Sequence, residues 1–177
     1  MSYSRSARWH PSLLVLRSEV THADSASGSL GDLPADLRAL MGGERDLVAN
    51  CANTAALLWH RLPRLNWAGF YFLCDGELVL GPFQGKPACT RIALGRGVCG
   101  TAALRRATIV VPDVSQFPGH IACDQASRSE LVIPLLASGR LLGVLDLDSP
   151  DLARFDGETV KIVEAIATIV ADGSLLR

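Results

Sequence analysis

Two strand–turn–strand units set the narrowest limits on how this chain folds. Residues 67–73 (WAGFYFL) and 77–83 (ELVLGPF) flank Cys74-Asp75-Gly76, and residues 131–137 (LVIPLLA) and 141–147 (LLGVLDL) flank Ser138-Gly139. Asp-Gly and Ser-Gly supply the positive-φ positions that a tight hairpin demands, so each unit reads as an antiparallel pair. Helical spacing brackets them. Leu47, Val48, Cys51, Ala52, Ala55, Leu58, Trp59 and Leu62 recur at three- and four-residue steps, which marks one apolar face ended by Pro63. A shorter helix is expected over 34–41, stopped by Gly42-Gly43. A closing helix starts at Asp156 as N-cap and buries Val160, Val163, Ile166, Ile169 and Val170. Between the hairpins, short strands are expected over 90–94 and 108–111 and a short helix over 100–106. Residues 113–129 lack periodic apolar positions and read as a long loop, the kind that in compact domains usually carries function. This order implies an α+β domain, a largely antiparallel sheet with helices packed on a face.

The 177 residues suffice for one core. Serine-rich residues 1–30 read as an N-terminal extension, and residues 31–177 as a single domain. The net charge of -1 gives no electrostatic footprint for nucleic acid or an anionic membrane. No apolar run approaches the roughly 20 residues that cross a bilayer, and Leu13 to Leu16 is too short for a signal-peptide core. The expected location is therefore cytoplasmic. Five cysteines, an odd number, disfavour a static disulfide framework and favour buried or reactive thiols. No Cys-x-x-Cys pair exists and the spacings match no zinc module, so no metal site is expected. Gly95-Arg96-Gly97 and Gln84-Gly85-Lys86 lack the Gly-Lys-Ser/Thr that completes a phosphate loop.

LGRGVCGTA (Leu94 to Ala102) and GVLDLD (Gly143 to Asp148), with the closing helix, resemble the GAF domains, which bind small molecules. NWAGFYF (Asn66 to Phe72), GPFQGKPAC (Gly81 to Cys89) and PGHIACDQASRSE (Pro118 to Glu130) sharpen the likeness. Together they resemble the free methionine-R-sulfoxide reductases over about residues 40–170. That resemblance implies a GAF-like fold with a six-stranded antiparallel sheet. It also implies a homodimer, no bound cofactor, and recycling by thioredoxin, or by dithiothreitol in vitro.

Thiol reduction of a sulfoxide needs an attacking thiolate, an acid for the departing oxygen, a second thiol to expel water, and a pocket for a small zwitterion. Cys89, Cys99 and Cys123 fall in the motif-bearing segments. Cys99, at a helix start, sits where orphan N–H groups favour a thiolate. The resemblance favours Cys123 as attacking thiol and Cys89 as resolving partner, with Cys99 as alternative resolver or secondary nucleophile. Cys51 lies on the apolar face of its helix and reads as core, whereas Cys74 at a hairpin tip reads as an incidental exposed thiol.

Asp146 and Asp148, two apart on a strand, project from one sheet face together with Leu142 and Val144. The resemblance adds Glu130 to them as pocket acids that hold the substrate ammonium, one of them supplying the proton. Trp67 and Tyr71 share a strand face and are candidates for the wall around the sulfoxide methyl, with Phe70 and Phe72 on the opposite face. Backbone N–H groups around residues 121–124, helped by Ser127 or Arg128, are candidates for the substrate carboxylate. His120 either tunes Cys123 or shapes the loop.

Register makes the acid cluster checkable. With a strict two-residue turn at Ser138-Gly139, Ala137 opposes Arg140 and Glu130 falls opposite Leu147, on the wrong face. An odd-length loop or a single bulge restores it. Two other readings stay open: a GAF sensor that binds a metabolite without turnover, and a redox switch whose disulfide alters a partner surface.

Overall fold

A computed structural model describes residues 28–121 and 124–174. Six antiparallel strands form one sheet in the order β3-β2-β1-β6-β5-β4. They are β1 (Trp67–Cys74), β2 (Glu77–Gly85), β3 (Arg91–Ala93), β4 (Ile109–Val111), β5 (Ser129–Ala137) and β6 (Arg140–Ser149). The helices are α1 (Leu33–Met41), α2 (Leu47–Arg61), α3 (Gly97–Arg105) and α4 (Gly157–Gly173). Both hairpins form where the turn residues place them, and all six expected strands are present. Among its described residues the long loop holds one 3-10 turn, Val114–Gln116, before β5 begins at Ser129.

Each sheet face has its own core. On one, α1, α2 and α4 cover Phe70, Leu131, Ile133, Leu145 and Leu147. On the other, α3 and the loops cover Trp67, Tyr71, Val132 and Val144. Alternation along β1, β5 and β6 sends neighbouring residues to opposite cores, the period-2 geometry of a pleated strand. Cys51 lies in the first core with no exposure, as expected, and Cys74 is exposed.

The helix faces are turned from the expected ones. On α2, Val48 is 56% exposed and Ala52 is exposed, while Asn50 and Thr54 are buried. Both polar residues find donor-side partners inside, although Asn50 Oδ1 has none: Asn50 Nδ2 donates to Ser174 Oγ at 3.0 Å and Thr54 Oγ1 to the Asn50 carbonyl at 2.7 Å. A hydropathy pattern cannot foresee polar groups satisfied in this way. On α4, Val163, Ile166 and Val170 are buried, but Val160 and Ile169 are only half-buried, and Thr159, Ala167 and Ala171 complete the face. Asp156 caps α4 as expected, accepting from the Thr159 N–H at 2.8 Å. α3 starts at Gly97, earlier than the spacing suggested.

The β5–β6 hairpin carries the bulge that the acid cluster requires. Ala137 opposes Arg140 and Leu136 opposes Leu141 across the two-residue turn, but Leu135 opposes Gly143. Leu142 is the extra residue. From there Val132 opposes Asp146 and Glu130 opposes Asp148, so all three acids share a face. The bulge also corrects one expectation: Leu142 packs in the first core, away from Val144 and the aspartates. Gly143 is needed beside it, because a Cβ there would lie 2.0 Å from the Tyr71 carbonyl oxygen of β1.

Candidate active site

Three strands lay one row of side chains across the sheet. Trp67 of β1 opposes Asp148 of β6, which opposes Glu130 of β5. In the next row Gly69 opposes Asp146, which opposes Val132. Gly69 leaves the room that the Trp67 ring needs, since a Cβ there would come within 2.7 Å of its edge. The ring is stacked between Tyr71 (centroids 5.8 Å apart) and Phe83 (5.4 Å), and Nε1 donates to the Lys86 carbonyl at 3.1 Å. Trp67 is thereby fixed in one pose, a rigid apolar wall.

α3 closes the hollow from above. Cys99, in its first turn, places Sγ 4.0 Å from Glu130 Oε1. The three nearest donor atoms of Cys99, Glu130 and Asp146 lie within 4.8 Å of one another. The N-terminus of α3 has no side-chain cap, and Arg96, Gly97 and Val98 line the same hollow. The hollow is small, ≈ 40 Å³.

Burial governs the charges. Glu130 is 6% exposed, and burial pushes its carboxyl up to about 7, opposed by its contact with His120 and assisted by the charge of Asp148. His120 Nε2 stands 3.4 Å from Glu130 Oε2. Burial, then the neighbouring Glu130, raises Asp146 well above the usual carboxylate range, with the Cys99 thiol opposing. Asp148 is raised by burial and Asp146, with Ser127 opposing. The site therefore stores protons on carboxyls, the state a general acid needs. Asp146 Oδ1 is buried without a hydrogen-bond partner.

Cys99 departs from expectation. Burial, and then the charges of Asp146 and Glu130, push its thiol well above the ordinary range. These outweigh the helix N-terminus, so Cys99 is held as a thiol. Cys89 lies half-buried in the β2–β3 loop and is disulfide-bonded, while Cys51, Cys74 and Cys99 are free. Cys123 lies outside the described residues.

The rim is tied together by Ser127 and by three side chains the sequence did not single out, Asn66, Lys86 and Asp124. Asp124 Oδ1 accepts from Lys86 Nζ at 3.1 Å and from the Ala126 N–H at 2.9 Å, and Oδ2 accepts from Asn66 Nδ2 at 3.2 Å. Asn66 Nδ2 also donates to Ser127 Oγ at 2.9 Å. The only sequence signal was that Asn66, Lys86 and Asp124 all fall inside the three long motifs. Ser127 is buried and lines the hollow, whereas Arg128 is exposed and does not. Trp67, Tyr71, Cys99, Glu130, Asp146 and Asp148 thus meet around one recess.

The GAF domain pattern matches residues 35–172. The free methionine-R-sulfoxide reductase of Escherichia coli (strain K12) is 57% identical over 127 residues, 72% of this chain and 77% of that protein. The free methionine-R-sulfoxide reductase of Saccharomyces cerevisiae is 45% identical over 139 residues, 74% of this chain and 77% of that one. The X-ray structure of free methionine-R-sulfoxide reductase from Neisseria meningitidis in complex with its substrate superposes with a TM-score of 0.77 at 46% identity, covering 80% of this chain and 86% of that one. The chain belongs to the GAF domain family and, within it, to the free methionine-R-sulfoxide reductases.

Proposed function

We propose that this protein is an oxidoreductase that reduces free L-methionine-(R)-sulfoxide to methionine, with two of its cysteines supplying the electrons. The observation that carries this reading is the row Trp67–Asp148–Glu130 with Asp146 beside it, buried acids holding protons against a fixed aromatic wall. The wall takes the sulfoxide methyl. The substrate carboxylate goes to backbone N–H groups around residues 121–124, of which 122 and 123 lie outside the described residues, together with the uncapped α3 N-terminus, and the acids take the ammonium.

The chemistry balances in two steps. The Cys123 thiolate attacks the sulfoxide sulfur, and the oxygen, protonated by a carboxyl, ends on cysteine as a sulfenic acid while methionine leaves. Cys89 then attacks that sulfenic sulfur and water departs, so two thiols become one disulfide as the sulfoxide loses its oxygen. Glu130, with its carboxyl near neutrality, is the acid best matched to the proton transfer. The finding of Cys89 in a disulfide supports its role as resolving thiol. Thioredoxin, or dithiothreitol in vitro, returns the pair to thiols, no bound cofactor is needed, and the working assembly is a homodimer. Residues 31–177 act as one domain in the cytoplasm.

The test follows free methionine-R-sulfoxide with dithiothreitol as reductant. Wild type consumes it and Cys123→Ser does not. Mass spectrometry after one turnover without added reductant shows a Cys89–Cys123 link. A wild type that binds the sulfoxide without consuming it would leave a sensor, and a Cys99–Cys123 link would reassign the resolving thiol.

A further inference from the structure

We propose that Cys99, Glu130 and Asp146 form a binding site for a thiophilic divalent cation of the zinc class. The three come from α3, β5 and β6, so no short spacing in the chain betrays them; only the fold joins them. Their donor atoms lie within 4.8 Å of one another, and Cys99 Sγ is 4.0 Å from Glu130 Oε1. Around a tetrahedral zinc ion, sulfur and oxygen ligands stand about 3.6 Å apart, so small rotamer shifts bring this set to bonding distance. A sulfur with two carboxylate oxygens is a donor set that a borderline-soft cation accepts.

A second observation points the same way. Asp146 is 6% exposed, and its Oδ1 has no hydrogen-bond partner. An orphaned buried acceptor costs free energy, and a cation would satisfy it. His120, with Nε2 at 3.4 Å from Glu130 Oε2, stands behind the carboxylate and orients it rather than joining the three donors. Asp148 adds a further carboxyl at the same recess; Arg96 and Lys86 also line it, and Lys86 is already paired with Asp124. Binding releases the Cys99 proton to solvent as the sulfur–metal bond forms, with no change of oxidation state. An ion here and a substrate ammonium would occupy the same acids and exclude each other. That consequence rests on the proposed reaction, whereas the binding itself does not.

The experiment titrates cobalt(II) into protein whose Cys89 disulfide is intact, without reductant, and reads the sulfur-to-cobalt charge-transfer band in the near ultraviolet. Wild type is expected to take one ion per chain with that band, and zinc(II) to abolish it. Cys74→Ser keeps the band and Cys99→Ser lacks it. Asp146→Asn, which retains the sulfur, shows the band with affinity reduced roughly tenfold or more. Near-ultraviolet circular dichroism confirms that each variant is folded. A wild type without the band, a band that survives Cys99→Ser or vanishes in Cys74→Ser, or an Asp146→Asn affinity equal to wild type would overturn the proposal.

Discussion

Replacing Glu130 by glutamine should make the protein more stable at alkaline pH and less active. Glu130 is buried and its carboxyl is raised from 4.5 to about 7 in the folded chain. Below pH 4.5 it is protonated whether the chain is folded or not, so it carries no electrostatic penalty. Between 4.5 and about 7 the unfolded chain ionises freely while the folded chain cannot, so stability falls as pH rises. At about 1.4 kcal/mol per tenfold, the loss reaches about 3 kcal/mol once the folded carboxyl has also ionised. Glutamine fills the same space and does not titrate. Urea denaturation of metal-free wild type and Glu130→Gln, with the disulfide in one state throughout, measures the difference at both ends of that range. The variant's stability relative to wild type should improve by about 3 kcal/mol between pH 4.5 and about pH 8. Taking a difference of differences removes any constant effect of the amide on packing. Turnover should fall by roughly 100-fold or more, because the amide cannot give up a proton. A relative stability that does not move with pH would refute the reasoning, since Glu130 would then ionise as easily inside the fold as outside it.

Four further substitutions separate the parts of the site. Asp124→Ala removes the acceptor shared by Lys86, Asn66 and Ala126, so KM should rise roughly tenfold with kcat nearly unchanged, read by steady-state kinetics. Trp67→Phe keeps an aromatic wall but loses the tie to the Lys86 carbonyl; KM should again rise more than kcat falls. Gly143→Ala drives a Cβ to 2.0 Å from the Tyr71 carbonyl and should destabilise the fold by about 3 kcal/mol or more in urea. Cys74→Ser, at an exposed turn, should leave turnover and stability at wild-type levels.

The sheet was legible because its signals are local. The short apolar runs and the Asp75-Gly76 and Ser138-Gly139 turns between them specify the two hairpins without reference to the rest of the chain. Helix boundaries followed from Pro63, Asp156 and Gly42 for the same reason. The phase of α2 was not legible, because Asn50 and Thr54 become tolerable inside only once Ser174 and the helix carbonyls are there to bond them. Cys99 shows the same limit for the site. Its position in the first turn of α3 argued for a thiolate, and the burial and two carboxyls that reverse that argument arrive from β5 and β6. The rim tie among Asn66, Lys86 and Asp124 spans 58 residues of sequence and left no periodic trace.

One extra residue joins fold to chemistry. Before the bulge, Leu141 faces the recess core; after it, Val144 and the two aspartates do, while Leu142, Leu145 and Leu147 face the helices. Without Leu142 as an unpaired residue, β5 and β6 would disagree in parity: either Glu130 or the two aspartates would enter the helix-covered core, among apolar side chains. Three carboxyls on one buried face are themselves unfavourable, since burial raises all of them. The apolar core on the opposite face of the same strands supplies the stability that lets them stay there. A sheet optimised only for stability would place apolar side chains at all three positions. Acids kept there at such a disadvantage are what a proton-donating site requires, and Glu130→Gln measures how large that disadvantage is.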